Sequence, residues 1–261
     1  MNPDLKEKKI VITRPIERSI DLSDIIIENN GVPIIVPTLE LQSVETEELS
    51  KLRNTIDTYD WLIFTSPAGV QSFFKNKEEL PKINFPKIIV IGIKTKEELE
   101  KYGYIADIIP SKYTAEGILE TISNLNLENK KIAIPRTLSA RNTLPDGLKA
   151  KKANVNIVEA YKSGVPKSLD KIYELIEFIK KDEIDVITFT SPLTVTNLMN
   201  IIKKDSDFNK IIEKLRNNII IVSIGPITTK TLTEYSITTI EPEVYTVKNM
   251  IDSLIKYLNN E

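Results

Sequence analysis

Phe64–Phe74 reads FTSPAGVQSFF, and Phe189–Met199 reads FTSPLTVTNLM. Each stretch starts at the end of an apolar run and passes through Ser-Pro. Apolar residues then recur at i, i+3 and i+4: Val70, Phe73 and Phe74 in the first, Val195, Leu198 and Met199 in the second. That pattern is a strand turning into an amphipathic helix. Ser66 and Ser191 suit helix N-caps, and Pro67 and Pro192 suit the first turn, where a missing N–H removes no helical bond. The same corner occurring twice predicts a duplicated α/β architecture.

The echo extends on both sides of the corners. KKIVITR at 8–14 is answered by KKIAIPR at 130–136, and Gly92, Leu99 and Tyr102 by Gly225, Leu232 and Tyr235. Pro110 and Tyr113-Thr114 are answered by Pro242 and Tyr245-Thr246 in the same order. Each half holds five short runs rich in Ile and Val: 9–13, 33–37, 60–65, 88–92 and 106–109, then 131–134, 155–159, 185–190, 219–224 and 237–240. The runs barely alternate, as strands covered on both faces do, so parallel sheets are expected. Strands alternating with helices predict doubly wound domains, each a five-stranded sheet of flavodoxin-like order 2-1-3-4-5. Lys94–Lys101 and Leu169–Lys181 have the mixed charge of solvated helical faces. The halves could fold separately or exchange strands. VPTLELQ at 36–42 and VEAYKSG at 158–164 are the extended stretches where the chain could cross.

At 261 residues the chain can form one large domain or two ordinary ones. A net charge of −2 gives no global basic field, so neither nucleic acid nor an anionic membrane is an expected partner. The charged N-terminal stretch has no signal-peptide core, and no apolar run is of membrane-spanning length, which points to the cytoplasm. Cysteine and histidine are both absent. Disulfides, thiolate nucleophiles and Cys/His zinc sites are thereby excluded, as is imidazole acid–base catalysis. Proton transfer would fall to Tyr, Lys, Asp, Glu, water or the substrate.

In an open α/β sheet, ligands bind beyond the carboxyl ends of the strands, where the strand order reverses. The first strands end there in Thr13-Arg14-Pro15 and Ile134-Pro135-Arg136-Thr137, and the third strands in Thr65-Ser66-Pro67 and Thr190-Ser191-Pro192. The glycine corners at Gly92 and Gly225 lie one strand over and are neither GxGxxG nor Walker loops, so no nucleotide cofactor is expected. The serines can be read as caps alone. They can also be read as the donors of an anion site at a helix N-terminus. Polar rims without strong nucleophiles suit a polyanionic substrate that carries its own reactive groups.

The whole chain resembles the uroporphyrinogen-III synthase family. The resemblance rests on KKIVITRP at 8–15, WLIFTSPAGV at 61–70, VITFTSPLTV at 186–195 and SKYTAEGILETI at 111–122. It rests equally on PRTLSARNTLPDGLKAKKANVNIVEAYKS at 135–163 and VSIGPITTKTL at 222–232. It implies two flavodoxin-like parallel-sheet domains joined by a two-stranded connector, with a cleft between them. One domain would comprise 1–37 and 165–261, the other 42–158, with connectors at 38–41 and 159–164. The implied reaction is a cofactor-free and metal-free cyclisation of linear hydroxymethylbilane to uroporphyrinogen III. Water is lost and ring D is inverted through a spiro intermediate, in the biosynthesis of heme and other tetrapyrroles. The resemblance places Tyr161 at the catalytic tyrosine, which assists departure of the hydroxyl. It places Thr65, Ser66, Thr95, Ser191, Thr228, Arg14, Arg136 and Arg141 among the substrate-binding residues. It further implies a monomer in transient contact with the preceding pathway enzyme. Thr137 departs from the glycine common in bacterial relatives, and YTVKNM at 245–250 is a loose form of the motif at 113–118. The alternative reading is a two-lobed protein that binds anions or tetrapyrroles without turnover.

Overall fold

The structure, a computed structural model, describes residues 4–76, 80 and 84–260. The first half runs β1 (Lys9–Ile12), α1 (Ile20–Glu28), β2 (Val32–Ile35), β3 (Glu40–Ser43), α2 (Glu47–Asn54), β4 (Trp61–Phe64), α3 (Pro67–Phe74), β5 (Lys87–Val90), α4 (Ile93–Glu100) and α5 (Ala115–Thr121). The second half runs β6 (Lys131–Arg136), α6 (Thr143–Ala150), β7 (Asn154–Glu159), β8 (Tyr161–Gly164), α7 (Asp170–Lys180), β9 (Val186–Phe189), α8 (Pro192–Ile202), α9 (Phe208–Asn217), β10 (Ile220–Ser223), α10 (Pro226–Thr233) and α11 (Val247–Asn260). The halves correspond element by element, except that α9 has no counterpart among the described residues of the first.

The strand orders show how the halves are used. One parallel sheet is β10-β9-β1-β2 and the other is β5-β4-β6-β7. Each takes its first two strands from one half of the repeat and its next two from the other. Contacts divide the chain accordingly into Met1–Glu40 with Gly164–Glu261, and Leu41–Ser163. The 2-1-3-4 order of a flavodoxin-like sheet appears in both. The fifth strands do not form as expected. Residues 106–109 and 237–240 contribute one bridge each, Ile108 to Ile89 and Ile240 to Val222. β3 and β8 pair as a separate two-stranded sheet.

Both faces of each sheet are covered, which is why the strands read as unbroken apolar runs. Val11 of β1 packs with Leu175, Ile179, Leu198 and Leu215. Its neighbours Ile10 and Ile12 point the other way, toward Leu22, Ile26, Ile251 and Leu254. In the other unit Leu62 and Phe64 meet Leu49, Leu52, Phe73 and Phe74 on one face. Ile63 meets Ile118, Leu144 and Leu148 on the opposite one. Each such side chain contributes about 1.5–3 kcal/mol when buried. Among the described residues no helix is long and apolar enough to cross a membrane.

One glycine sets how closely α3 approaches β6. A Cβ on Gly69 would lie 2.8 Å from the carbonyl oxygen of Pro135, a backbone atom that cannot step aside. At the matching place in the other unit the chain carries Thr194. Gly69→Ala should therefore cost about 1–3 kcal/mol of stability. The measurement is the urea midpoint at constant m-value, and an unchanged midpoint would contradict this packing.

Candidate active site

At the end of β4 the backbone of Ser66 is still extended, and its hydroxyl accepts the Gly69 N–H at 3.1 Å to cap α3. The same hydroxyl donates to the Tyr161 phenol oxygen at 2.8 Å. Tyr161 opens β8 with its ring in the core of this unit, 4 % exposed. Thr65, beside the cap, is half-buried. Because Ser66 supplies the proton of their shared bond, the phenol keeps its own hydrogen for another acceptor.

Arg136 ends β6 and is 3 % exposed. Its Nη1 donates to the Arg141 carbonyl at 2.7 Å and its Nη2 to Asn142 Oδ1 at 2.7 Å, while Nε is buried with no partner among the described residues. Burial lowers the pKa of this guanidinium, against the opposing influence of Tyr161 and Asp146. Two of its three nitrogens thus close the loop 137–142 onto β6. Arg141 itself is exposed, 4.0 Å from Glu116.

The other unit builds the corresponding corner from different material. Ser191 caps α8, accepting the Thr194 N–H at 3.4 Å. Thr13 Oγ1 donates to the Thr188 carbonyl and Thr188 Oγ1 to that of Val11, riveting β1 to β9 where the strand order reverses. Thr38 Oγ1 donates to the Thr194 carbonyl, and Asn197 Nδ2 returns a bond to the Thr38 carbonyl. Aligning VPTLELQ with VEAYKSG puts buried Leu39 where the unit of Ser66 has Tyr161. Ser191 therefore has no tyrosine partner among the described residues. Arg14, half-buried at the end of β1, has no acceptor for its guanidinium among the described residues. Burial pushes its pKa down, Arg18 adds repulsion, and Asp21 opposes both.

Thr95 and Thr228 occupy the third position of α4 and α10, buried to the same degree after glycine N-caps. The anion-binding capacity of the serine corners is smaller than the sequence suggests. Proline lacks an N–H, and the serine hydroxyl takes that of Gly69 or Thr194, so the Ala68 and Leu193 amides remain as first-turn donors. Among the described residues no group of three or more His, Cys, Asp or Glu is placed to hold a metal ion. Sequence reasoning missed the Ser66–Tyr161 bond and the use of Arg136 as a loop fastener. Asn142, six residues after Arg136, was the one local signal for the latter.

The family model described as uroporphyrinogen-III synthase HemD matches residues 21–252. A protein of Methanothermobacter thermautotrophicus named "Putative uroporphyrinogen-III synthase" is 42% identical over 247 residues, covering 94% of this chain and 96% of that one. One of the same name from Methanocaldococcus jannaschii is 38% identical over 248 residues, covering 94% and 96%. The crystal structure of uroporphyrinogen-III synthetase from Helicobacter pylori 26695 superposes with a TM-score of 0.57 at 16% identity, covering 96% of this chain and 99% of that one. At that identity the superposition speaks for the fold alone.

Ser66→Ala and Tyr161→Phe should be coupled. The alanine removes a cap and the phenol's donor together, at about 0.5–2 kcal/mol, and the phenylalanine removes one neutral hydrogen bond, at about 0.5–1.5 kcal/mol. In a double-mutant cycle read by denaturation the double variant should lose less than the two singles combined. Strict additivity would mean the bond is not formed in solution.

Proposed function

The chain belongs to the uroporphyrinogen-III synthase family, and from that premise we propose which groups perform the reaction and how. The enzyme is a lyase that cyclises hydroxymethylbilane in tetrapyrrole biosynthesis. The terminal hydroxyl leaves as water, which requires a proton on the departing oxygen. The resulting azafulvene is attacked by the substituted carbon of ring D, and the spiro intermediate fragments and recloses as the type III isomer. Hydroxymethylbilane closes unaided to the type I isomer, so the larger task is to hold the chain in the conformation that inverts ring D.

Tyr161 is the proposed donor to the leaving hydroxyl. The observation that supports it is the asymmetry of the two corners: the phenol stands at Ser66, and leucine stands at the matching place near Ser191. A chain without histidine has no imidazolium to serve as the acid, which leaves phenols among the candidate donors. Here one phenol is packed in the core, with its oxygen already accepting a bond from Ser66 that polarises its O–H. Thr65, Ser66, Thr95, Ser191 and Thr228, with the Ala68 and Leu193 amides, are proposed to receive the carboxylate arms. Arg14 is proposed to pair with one of them, since its half-buried guanidinium has no acceptor among the described residues. Arg141 has the same role in competition with Glu116. To Arg136 we assign the fastening of the loop that carries Arg141, in place of direct contact with substrate.

We further propose that residues 1–37 with 165–261, and 42–158, act as two domains hinged through 38–41 and 159–164. The enzyme is proposed to work as a cytoplasmic monomer. A substrate that cyclises wrongly when left alone favours direct transfer from the enzyme that makes it, through a transient contact.

Freshly prepared hydroxymethylbilane given to the purified protein should yield type III product after oxidation. Type I product alone would refute the activity, and saturable binding without turnover would identify a binding protein. Tyr161→Phe should reduce kcat by about 10²-fold with Ser191→Ala reducing it several-fold less. Full activity in Tyr161→Phe would remove that residue from the chemistry.

A further inference from the structure

Tyr113 and Tyr245 are 57% and 58% exposed, and they occupy matching places in the two halves. Neither phenol oxygen has a partner among the described residues. The base of each ring is nevertheless held. A Cβ on Gly92 would lie 2.9 Å from Tyr113 Cγ, and one on Gly225 would lie 3.0 Å from Tyr245 Cδ1. Both glycines have extended backbone that any residue adopts, with φ of 179° and 167°. Glycine is therefore needed at these corners for room, so that a tyrosine can rest against the main chain.

The residue after each tyrosine fixes its backbone. Thr114 Oγ1 accepts the Gly117 N–H at 3.0 Å and Thr246 Oγ1 that of Asn249 at 3.2 Å. Each ring also lies beside a helix that carries a threonine proposed above to receive a carboxylate arm. Gly92 and Gly225 cap the helices whose third residues are Thr95 and Thr228, beyond the carboxyl ends of β5 and β10. Ile93 and Ile227, beside those caps, are exposed too. A tyrosine that served packing alone would bury its ring. Here the same arrangement leaves the ring and hydroxyl outward in both units, at the cost of exposing a large apolar surface twice.

We propose that Tyr113 and Tyr245 are substrate-contacting residues, each offering its ring to a pyrrole of the linear tetrapyrrole and its hydroxyl to a carboxylate arm. The inference rests on the reading of the chain as a tetrapyrrole cyclase. The paired tyrosines carry aromatic recognition, and the threonines beneath them carry polar recognition.

The test uses the full-length enzyme with Tyr113→Leu, Tyr245→Leu and the two Tyr→Phe variants. Steady-state kinetics on hydroxymethylbilane are combined with fluorescence titration by uroporphyrin III. Leucine keeps apolar bulk over the glycine but not the aromatic face. Each Leu variant should raise KM and weaken porphyrin binding about three- to tenfold, with kcat within about twofold and the thermal midpoint close to wild type. The Phe variants should fall between the Leu variants and wild type. Gly92→Ala, which displaces the Tyr113 ring without removing it, should reproduce the KM rise and serves as the test should a Leu variant fail to fold. Wild-type KM and porphyrin affinity in the Leu variants, or in Gly92→Ala, overturn the proposal. Failure of the cyclase reading shows separately, as type I product from the wild-type enzyme, and the porphyrin titration still judges the tyrosines in that event.

Discussion

The pairing of β1 with β9, and of β4 with β6, is the contact on which the rest depends. Ile10 pairs with Val186 and Ile12 with Thr188, while Trp61 pairs with Ile132 and Leu62 with Ala133. Each pairing joins a strand from one half of the repeat to a strand from the other. Neither half can therefore cover its own sheet, and neither closes a core until the chain has crossed over and returned. In the first unit the seam is reinforced by two buried hydroxyl-to-carbonyl bonds, from Thr13 and from Thr188. Hydroxyls buried there without acceptors would cost about 1–3 kcal/mol each. The seam is also the place where the strand order reverses, so the contact that closes the fold is the one that opens a concavity for a ligand.

Much of this was legible in the residues. The duplicated FTSP corners specified strand, cap and helix, and Ser66 and Ser191 do accept the N–H three residues on. Covered parallel strands followed from unbroken Ile/Val runs. The exchange of strands was not legible from the residues, because the same apolar pattern serves either connection; the family resemblance supplied it. The fifth strands were overread. Runs such as ADII at 106–109 are apolar enough to lie beside the sheet, yet only Ile108 makes a bridge. The Ser66–Tyr161 bond spans 95 residues and two strands, and no local pattern encodes it.

Duplication provided two similar backbones, and divergence gave them different chemistry. Gly69 brings α3 close to β6, whereas Thr194 at the matching place in the other unit bonds its own hydroxyl to the Ser191 carbonyl. Tyr161 corresponds to Leu39. Arg14 and Arg136 end corresponding strands, yet the first has a guanidinium without an acceptor among the described residues and the second is closed into a loop. Identical corners would bind identical groups. A linear substrate whose two ends must be treated differently requires corners that differ.

The buried Nε of Arg136 marks where that difference is costliest. A guanidinium N–H taken out of water with no acceptor costs about 1–3 kcal/mol, and burial also depresses the pKa of the group as a whole. Stability alone would favour an apolar side chain at this position, as at the neighbouring Ile134. What the arginine provides instead is a rigid fork reaching the Arg141 carbonyl and Asn142 at once, which lysine or an apolar residue cannot make. The loop so held lies between β6 and α6. Local violations of packing rules concentrate where a site must be held in one geometry. Of the two corners, the one that holds the phenol is the one that bears such a violation.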